Sequence, residues 1–162
     1  MNVSRLLGAP ALGAALIATS ASAQENPVQV QHGNEYGIVN VADYVALLPE
    51  GSDKVIEDHT IVRRPYAGVR VFRLYDRIPQ HYHLESDAYL YILSGKARFK
   101  VGDAPAQIAG AGDLLFWGKG VEHGNPEIIE GPVDVLVFDA PSRDPSDVVW
   151  MNPTEAPGFL AD

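Results

Sequence analysis

The stretch Ala88-Tyr-Leu-Tyr-Ile-Leu93, Ser94-Gly95, Lys96-Ala-Arg-Phe-Lys-Val101, Gly102-Asp103 settles the fold class. A β-branched and aromatic run stops at Ser-Gly, and an alternating run stops at Gly-Asp, a turn pair. The same period of two extends outward in both directions. Upstream, Val69-Arg-Val-Phe-Arg-Leu-Tyr75 alternates, and the pattern starts near Val55. Downstream, Gln107-Ile108 leads to the turn Gly110-Ala-Gly-Asp113, then to the short apolar runs Leu114–Trp117 and Val133–Phe138. Short strands with turn signals at this spacing predict an all-β sandwich or barrel. One helix is predicted ahead of them. Asn40 can cap it, Val41, Tyr44, Val45 and Leu48 share one face, and Pro49 and Gly51 stop it.

The chain has 162 residues, a single domain's worth, and a formal net charge of −9. That acidity speaks against nucleic-acid binding, which needs a basic face. There are no cysteines, so disulfides and thiolate metal sites are excluded. Residues 1–23 combine one arginine, an apolar run from Leu6 to Ala18 and the small stretch Ala21-Ser-Ala23. They read as a secretory signal peptide cleaved before Gln24, leaving no membrane anchor and placing the protein in the periplasm or outside the cell. The expected organisation is then a lead-in with the helix (24–54), the barrel (55–141) and a C-terminal arm (142–162). In that arm Val148-Val-Trp-Met151 is the apolar segment, expected to dock on the barrel or on a partner subunit.

Two segments carry chemistry. In His81-Tyr-His83 the imidazoles sit at i and i+2, which on an extended chain share one side. His123 follows a turn, a short strand and a glycine-rich turn, and a β fold can bring it beside the pair. Imidazole suits Zn, Fe, Ni, Cu and Mn. The remaining histidines, His32 and His59, lie in polar surroundings and read as surface. Asn125, just past His123, is a candidate to orient its ring.

The two segments resemble the two motifs of the cupin superfamily. The first family pattern, G-x5-H-x-H-x3,4-E-x6-G, falls here on Tyr75, His81, His83, Asp87 or Ala88, and Gly95. The second, G-x5-P-x-G-x2-H-x3-N, falls on Gly112, Gly118, Gly120, His123 and Glu127. The resemblance implies an all-β fold, a single jelly-roll-like double-stranded β-helix barrel with the one short N-terminal helix. It implies one divalent metal ion held at one end of the barrel by three histidines and a glutamate, and a homodimer. The glutamate is missing. The distance to Gly95 puts its position at Ala88, and Asp87 has the opposite strand parity. Two ligand sets follow: His81, His83 and His123 alone, which parity favours, or these three with Asp87 as a fourth.

Losing a carboxylate would leave the ion its full charge and an added open position, favouring an anionic substrate. The expected function is metal-dependent, oxygenase-type chemistry on a small phenolic or carboxylate molecule. Tyr82, Tyr89 and Tyr91 are the candidate proton carriers, and Arg73, Arg98 and Trp117 the candidate substrate contacts. The alternatives are a metal-dependent lyase or isomerase, with the metal as Lewis acid, and a non-catalytic binding module for a metal or small ligand.

Overall fold

A computed structural model describes residues 36–157. Residues 1–35, with the expected signal peptide, His32 and the start of the lead-in, and residues 158–162 at the end of the arm lie outside the described residues. Within them, no helix is long and apolar enough to cross a membrane.

Helix α1 (Val41–Val45) starts where the sequence predicts, with the Asn40 side chain accepting from the Ala42 N–H. Seven strands follow: β1 (Ile56–Arg63), β2 (Gly68–Leu74), β3 (Ile78–Tyr82), β4 (Asp87–Val101), β5 (Gln107–Gly110), β6 (Leu114–Trp117) and β7 (His123–Ala140). A last short strand, β8 (Val149–Trp150), belongs to the C-terminal arm.

All pairings are antiparallel and form one hydrogen-bonded system in the order β1-β2-β7-β3-β8, with β4 bridging β5, β6 and β7. The strands form a cupin-type, jelly-roll-like layer that does not close on itself. The two long strands organise it. β7 pairs with β2 along residues 133–139 and with β3 near His123, while β4 runs beside it for most of its length.

One sequence expectation changes here. Ser94-Gly95 does not reverse the chain; residues 88–93 and 96–101 are one strand, β4, of 15 residues. Gly95 has φ +78°, and the register against β7 slips on both sides of it. A Cβ there would meet the Pro132 and Glu130 carbonyl oxygens at 2.6 and 2.7 Å. Glycine therefore makes a bulge that lets β4 bend with β7, which is how one strand serves two parts of the fold.

The alternation sets what faces what. Ala88, Leu90, Ile92, Ala97 and Phe99 of β4 join Phe72, Leu74, Trp117, Val133, Val135 and Val137 in the main core. On the opposite face of β2, Val71 packs with Ile61 against Tyr44 and Leu48, the buried stripe of α1 and its exit. Each of these larger buried side chains contributes about 1.5–3 kcal/mol of transfer free energy. Tyr89 and Tyr91 take the outward parity. They are about two-fifths exposed and stand in register with Phe116 and Leu114 of β6.

Candidate metal centre

β3 carries His81 and leads directly into His83, and β7 opens with His123. His81 and His123 are direct register partners across the β3–β7 pair. Their ring centroids are 4.3 Å apart, and His83 lies 5.3 Å from His81 and 5.0 Å from His123. All three residues are buried. Trp117 stacks on His123 at 4.0 Å, and Trp150 of β8 packs on His81 at 4.8 Å, so two indoles hold the ring positions. The apolar segment 148–151 thus docks on its own chain, along β3.

The backbone fixes the proton on each ring. Nδ1 of His81 meets the Pro79 carbonyl at 2.9 Å, Nδ1 of His123 meets the Val121 carbonyl at 2.9 Å, and Nδ1 of His83 meets the Asp147 carbonyl. A carbonyl only accepts, so each Nδ1 donates and each Nε2 keeps its lone pair. One ligand atom from each histidine lies within 4.8 Å of the others. Metal–nitrogen bonds of about 2.0–2.1 Å would draw that span in.

Burial keeps the rings neutral. Desolvation pulls His81 down to about 4, against the Pro79 carbonyl; the His83 charge lowers it further. His123 is pulled down to about 2, first by burial and then by His81, and His83 is lowered by burial above all. The lone pairs are therefore free for a metal well below neutral pH. Three neutral nitrogens with preset tautomers are a donor set that fits one divalent ion.

The same shifts make the metal-free fold acid-sensitive. The unfolded chain protonates its histidines near pH 6.5, whereas the folded chain resists until about 4 at His81 and about 2 at His123. Stability is thus fully present above pH 6.5 and falls as the pH drops. Each of these two rings is expected to cost about 2 kcal/mol by about pH 5. Urea unfolding of the chelator-treated protein at pH 7 and pH 5 measures this, and His81→Gln should flatten the dependence.

The histidines border a cavity of about 60 Å³, room for roughly four waters. Apolar groups, among them Phe72, Leu74, Leu90, Phe99 and Trp117, make up most of its wall. Ala88, at the family's glutamate position, is buried and part of that wall. Asp87 is not: its Oδ1 accepts from the Lys119 N–H, and it stands apart from the histidine cluster. Among the described residues the cavity is lined by no carboxylate and no tyrosine.

Several sequence-predicted roles do not survive this placement. Tyr89 and Tyr91 point out of the sheet, and Tyr82, between the two histidines, has the opposite parity to them and does not line the cavity. Arg73 faces the helix side, where it binds Asp134 at 2.6 Å and the Leu48 and Pro49 carbonyls at 2.9 Å. Arg98 makes an exposed pair with Glu127 at 3.1 Å. Asn125 does line the cavity, but its Oδ1 accepts from the Ile78 N–H and its Nδ2 donates to the Asp76 carbonyl, tying β7 to the start of β3 rather than touching His123. Of the predicted substrate contacts, Trp117 is at the cavity.

The sequence reading missed Arg70, Arg143 and Asp147. Arg70 and Arg143 line the cavity. Asp147, buried in the arm, accepts from the Leu84 and Glu85 N–H groups through its carboxylate while its carbonyl holds His83. It clamps the turn after β3 to the arm. Asp147→Ala keeps the carbonyl that holds His83 but removes the carboxylate that ties the arm to residues 84 and 85. It is expected to loosen the ring's support and weaken metal affinity by up to about 10-fold, with titration of the apo protein as the measurement.

Family and fold comparisons agree with this geometry. Residues 75–139 match the sequence family of the cupin domain. The chain carries a cupin domain. A search of curated protein sequences returns no match. Among solved structures, an uncharacterised protein with a double-stranded β-helix domain from Klebsiella pneumoniae is similar over 66% of this chain and 91% of its own, at 21% identity and a TM-score of 0.55. A cupin-2 domain protein from Shewanella frigidimarina is similar over 64% of this chain and 94% of its own, at 16% identity and TM-score 0.52. A Streptomyces nucleoside dehydratase, in a structure with uridine, is similar over 63% of this chain and 82% of its own, at 18% identity and TM-score 0.53. At these identities the likeness to this cupin is one of fold.

Proposed function

We propose that this cupin is an exported mononuclear-metal enzyme that adds O₂ to a small organic molecule. The observation that carries the reading is the convergence of three neutral, buried imidazoles on a largely apolar cavity whose lining, among the described residues, offers no carboxylate and no tyrosine. His81, His83 and His123 would hold the ion. Bound on neutral nitrogens, a divalent ion keeps its full charge and open positions, supplying Lewis acidity and, for iron or copper, electron exchange. The carbonyls of Pro79, Val121 and Asp147 hold the ring protons on Nδ1. Phe72, Leu90 and Phe99 exclude water, and Trp117 braces His123.

A lyase or isomerase must move a proton within the site. The tyrosines expected to carry it lie elsewhere, which favours oxygen chemistry in which both oxygen atoms end in product and no further reductant is consumed. The binding-module reading shares the same geometry without turnover.

The test is O₂ uptake by protein loaded anaerobically with Fe(II) and, in turn, the other candidate ions, against a panel of phenols and carboxylic acids. Expected is equal loss of O₂ and substrate, abolished by His81→Gln. A molecule retained unchanged, with no O₂ consumed under any metal, overturns the enzyme reading in favour of the binding module. Export and dimerisation belong to the same proposal. They predict Gln24 as the mature N-terminus and a dimer in sedimentation at micromolar concentration.

A further inference from the structure

Of the two guanidinium groups at the histidine cavity, one is engaged and one is free. Arg70 donates from Nε to Asp139 Oδ2 at 2.8 Å and from Nη1 to Asp58 Oδ2 at 2.6 Å. Arg143, three residues past the end of β7 at Ala140, is half-buried and makes no hydrogen bond or ion pair with any described residue. The nearby carboxylates are otherwise occupied: Asp147 by two backbone N–H groups and Asp58 by Arg70. Asp139 Oδ1 is buried without a donor, and Arg143 does not bond it. Burial lowers Arg143 to about 10, with Arg70 adding to the effect. It is a desolvated cation whose field reaches all three imidazoles.

We infer that Arg143 takes the carboxylate of an acidic substrate inside the histidine cavity, with the apolar wall receiving the rest of the molecule. This rests on the proposed function for what then happens to the substrate, but not for the binding itself. The chemistry is that of a planar fork meeting a carboxylate in two parallel N–H···O bonds, strengthened by the largely apolar wall beside it. The cavity lining holds no acidic side chain, and the carboxylates of Asp139, Asp58 and Asp147, whose charges act on Arg143, lie outside it. The free fork lies on the arm that also clamps His83 through Asp147, so the anion site and the metal ligand share one support.

The experiment is calorimetric titration of acetate, isobutyrate and benzoate into wild type, Arg143→Gln and Arg143→Lys, each both metal-loaded and chelator-treated. Benzamide is the neutral control. Expected is carboxylate binding in the wild type, weakened about 10- to 100-fold in Arg143→Gln. Arg143→Lys should fall between, because lysine keeps the charge but not the fork. Benzamide should not distinguish the variants, and metal content should not change. Equal carboxylate affinity in wild type and Arg143→Gln, or no carboxylate binding to wild type in either form, overturns the inference. A drop in melting temperature of Arg143→Gln with carboxylate affinity intact would assign Arg143 a structural role instead. Failure to load metal would defeat the proposed function, while the chelator-treated series would still decide the inference.

Discussion

His83→Ala is expected to lower metal affinity by more than about a hundredfold, beyond the 10- to 100-fold typical of an outer-shell partner. His81→Ala and His123→Ala should do the same. The donor set has three members and no carboxylate, so each substitution leaves two nitrogens, and no neighbouring side chain can stand in. Asp87 is held by the Lys119 N–H, and Ala88 has nothing to offer. The loss should not come from unfolding. The rings are neutral and desolvated, and their removal deletes no buried charge. Equilibrium dialysis against Zn(II) and Co(II), with circular dichroism as the fold control, measures the effect. Tyr91→Phe, on the outer face of β4, should retain full affinity.

Asp134→Ala should be the most destabilising single change on the helix side of the sheet, by about 3–5 kcal/mol. Its two carboxylate oxygens receive Arg73 Nε at 2.6 Å and Nη2 at 3.0 Å, and Oδ2 also receives Ser94 Oγ at 2.9 Å. Both side chains are nearly nine-tenths buried. The alanine variant leaves the guanidinium with the Leu48 and Pro49 carbonyls and neighbouring Tyr75 but without a carboxylate, a charge with no counter-charge beside β2. It also frees Ser94 next to the Gly95 bulge, where β4 bends. Asp134→Asn keeps part of the hydrogen bonding and should lose less. Urea unfolding at pH 7 gives the comparison, and a loss below about 1 kcal/mol in the alanine variant would mean the pair contributes no more than a surface one.

The alternation was enough to read an all-β fold, and Asn40 enough to place the helix, because both signals are local. The histidine trio was legible for the same reason: i and i+2 on a strand share a side, and one further histidine had to come from a neighbouring strand. The continuity of β4 was not legible. Ser-Gly ends many strands, and only the opposing Glu130 and Pro132 carbonyls reveal that Gly95 accommodates a bend instead. The arginines show a different limit. Arg73 and Arg98 are the sequence candidates, yet it is Arg70 that has the parity of Phe72 and Leu74, which face the core. Parity along β2 pointed to Arg70, and along β4 it put Arg98 opposite in facing to Ala97 and Phe99. Arg143 and Asp147 had no such signal. They lie in an irregular arm where only the docking of Val149–Trp150 on β3 brings them to the site.

His81, His83 and His123 are proposed to form one metal site. Metal content of residues 24–162, purified without tag or chelator, tests it most directly. About one Fe, Ni, Zn, Cu or Mn per chain, lost in His83→Ala, is the predicted result. No stoichiometric metal, even after anaerobic incubation with each of these ions, would contradict it and leave the three buried imidazoles with a packing role.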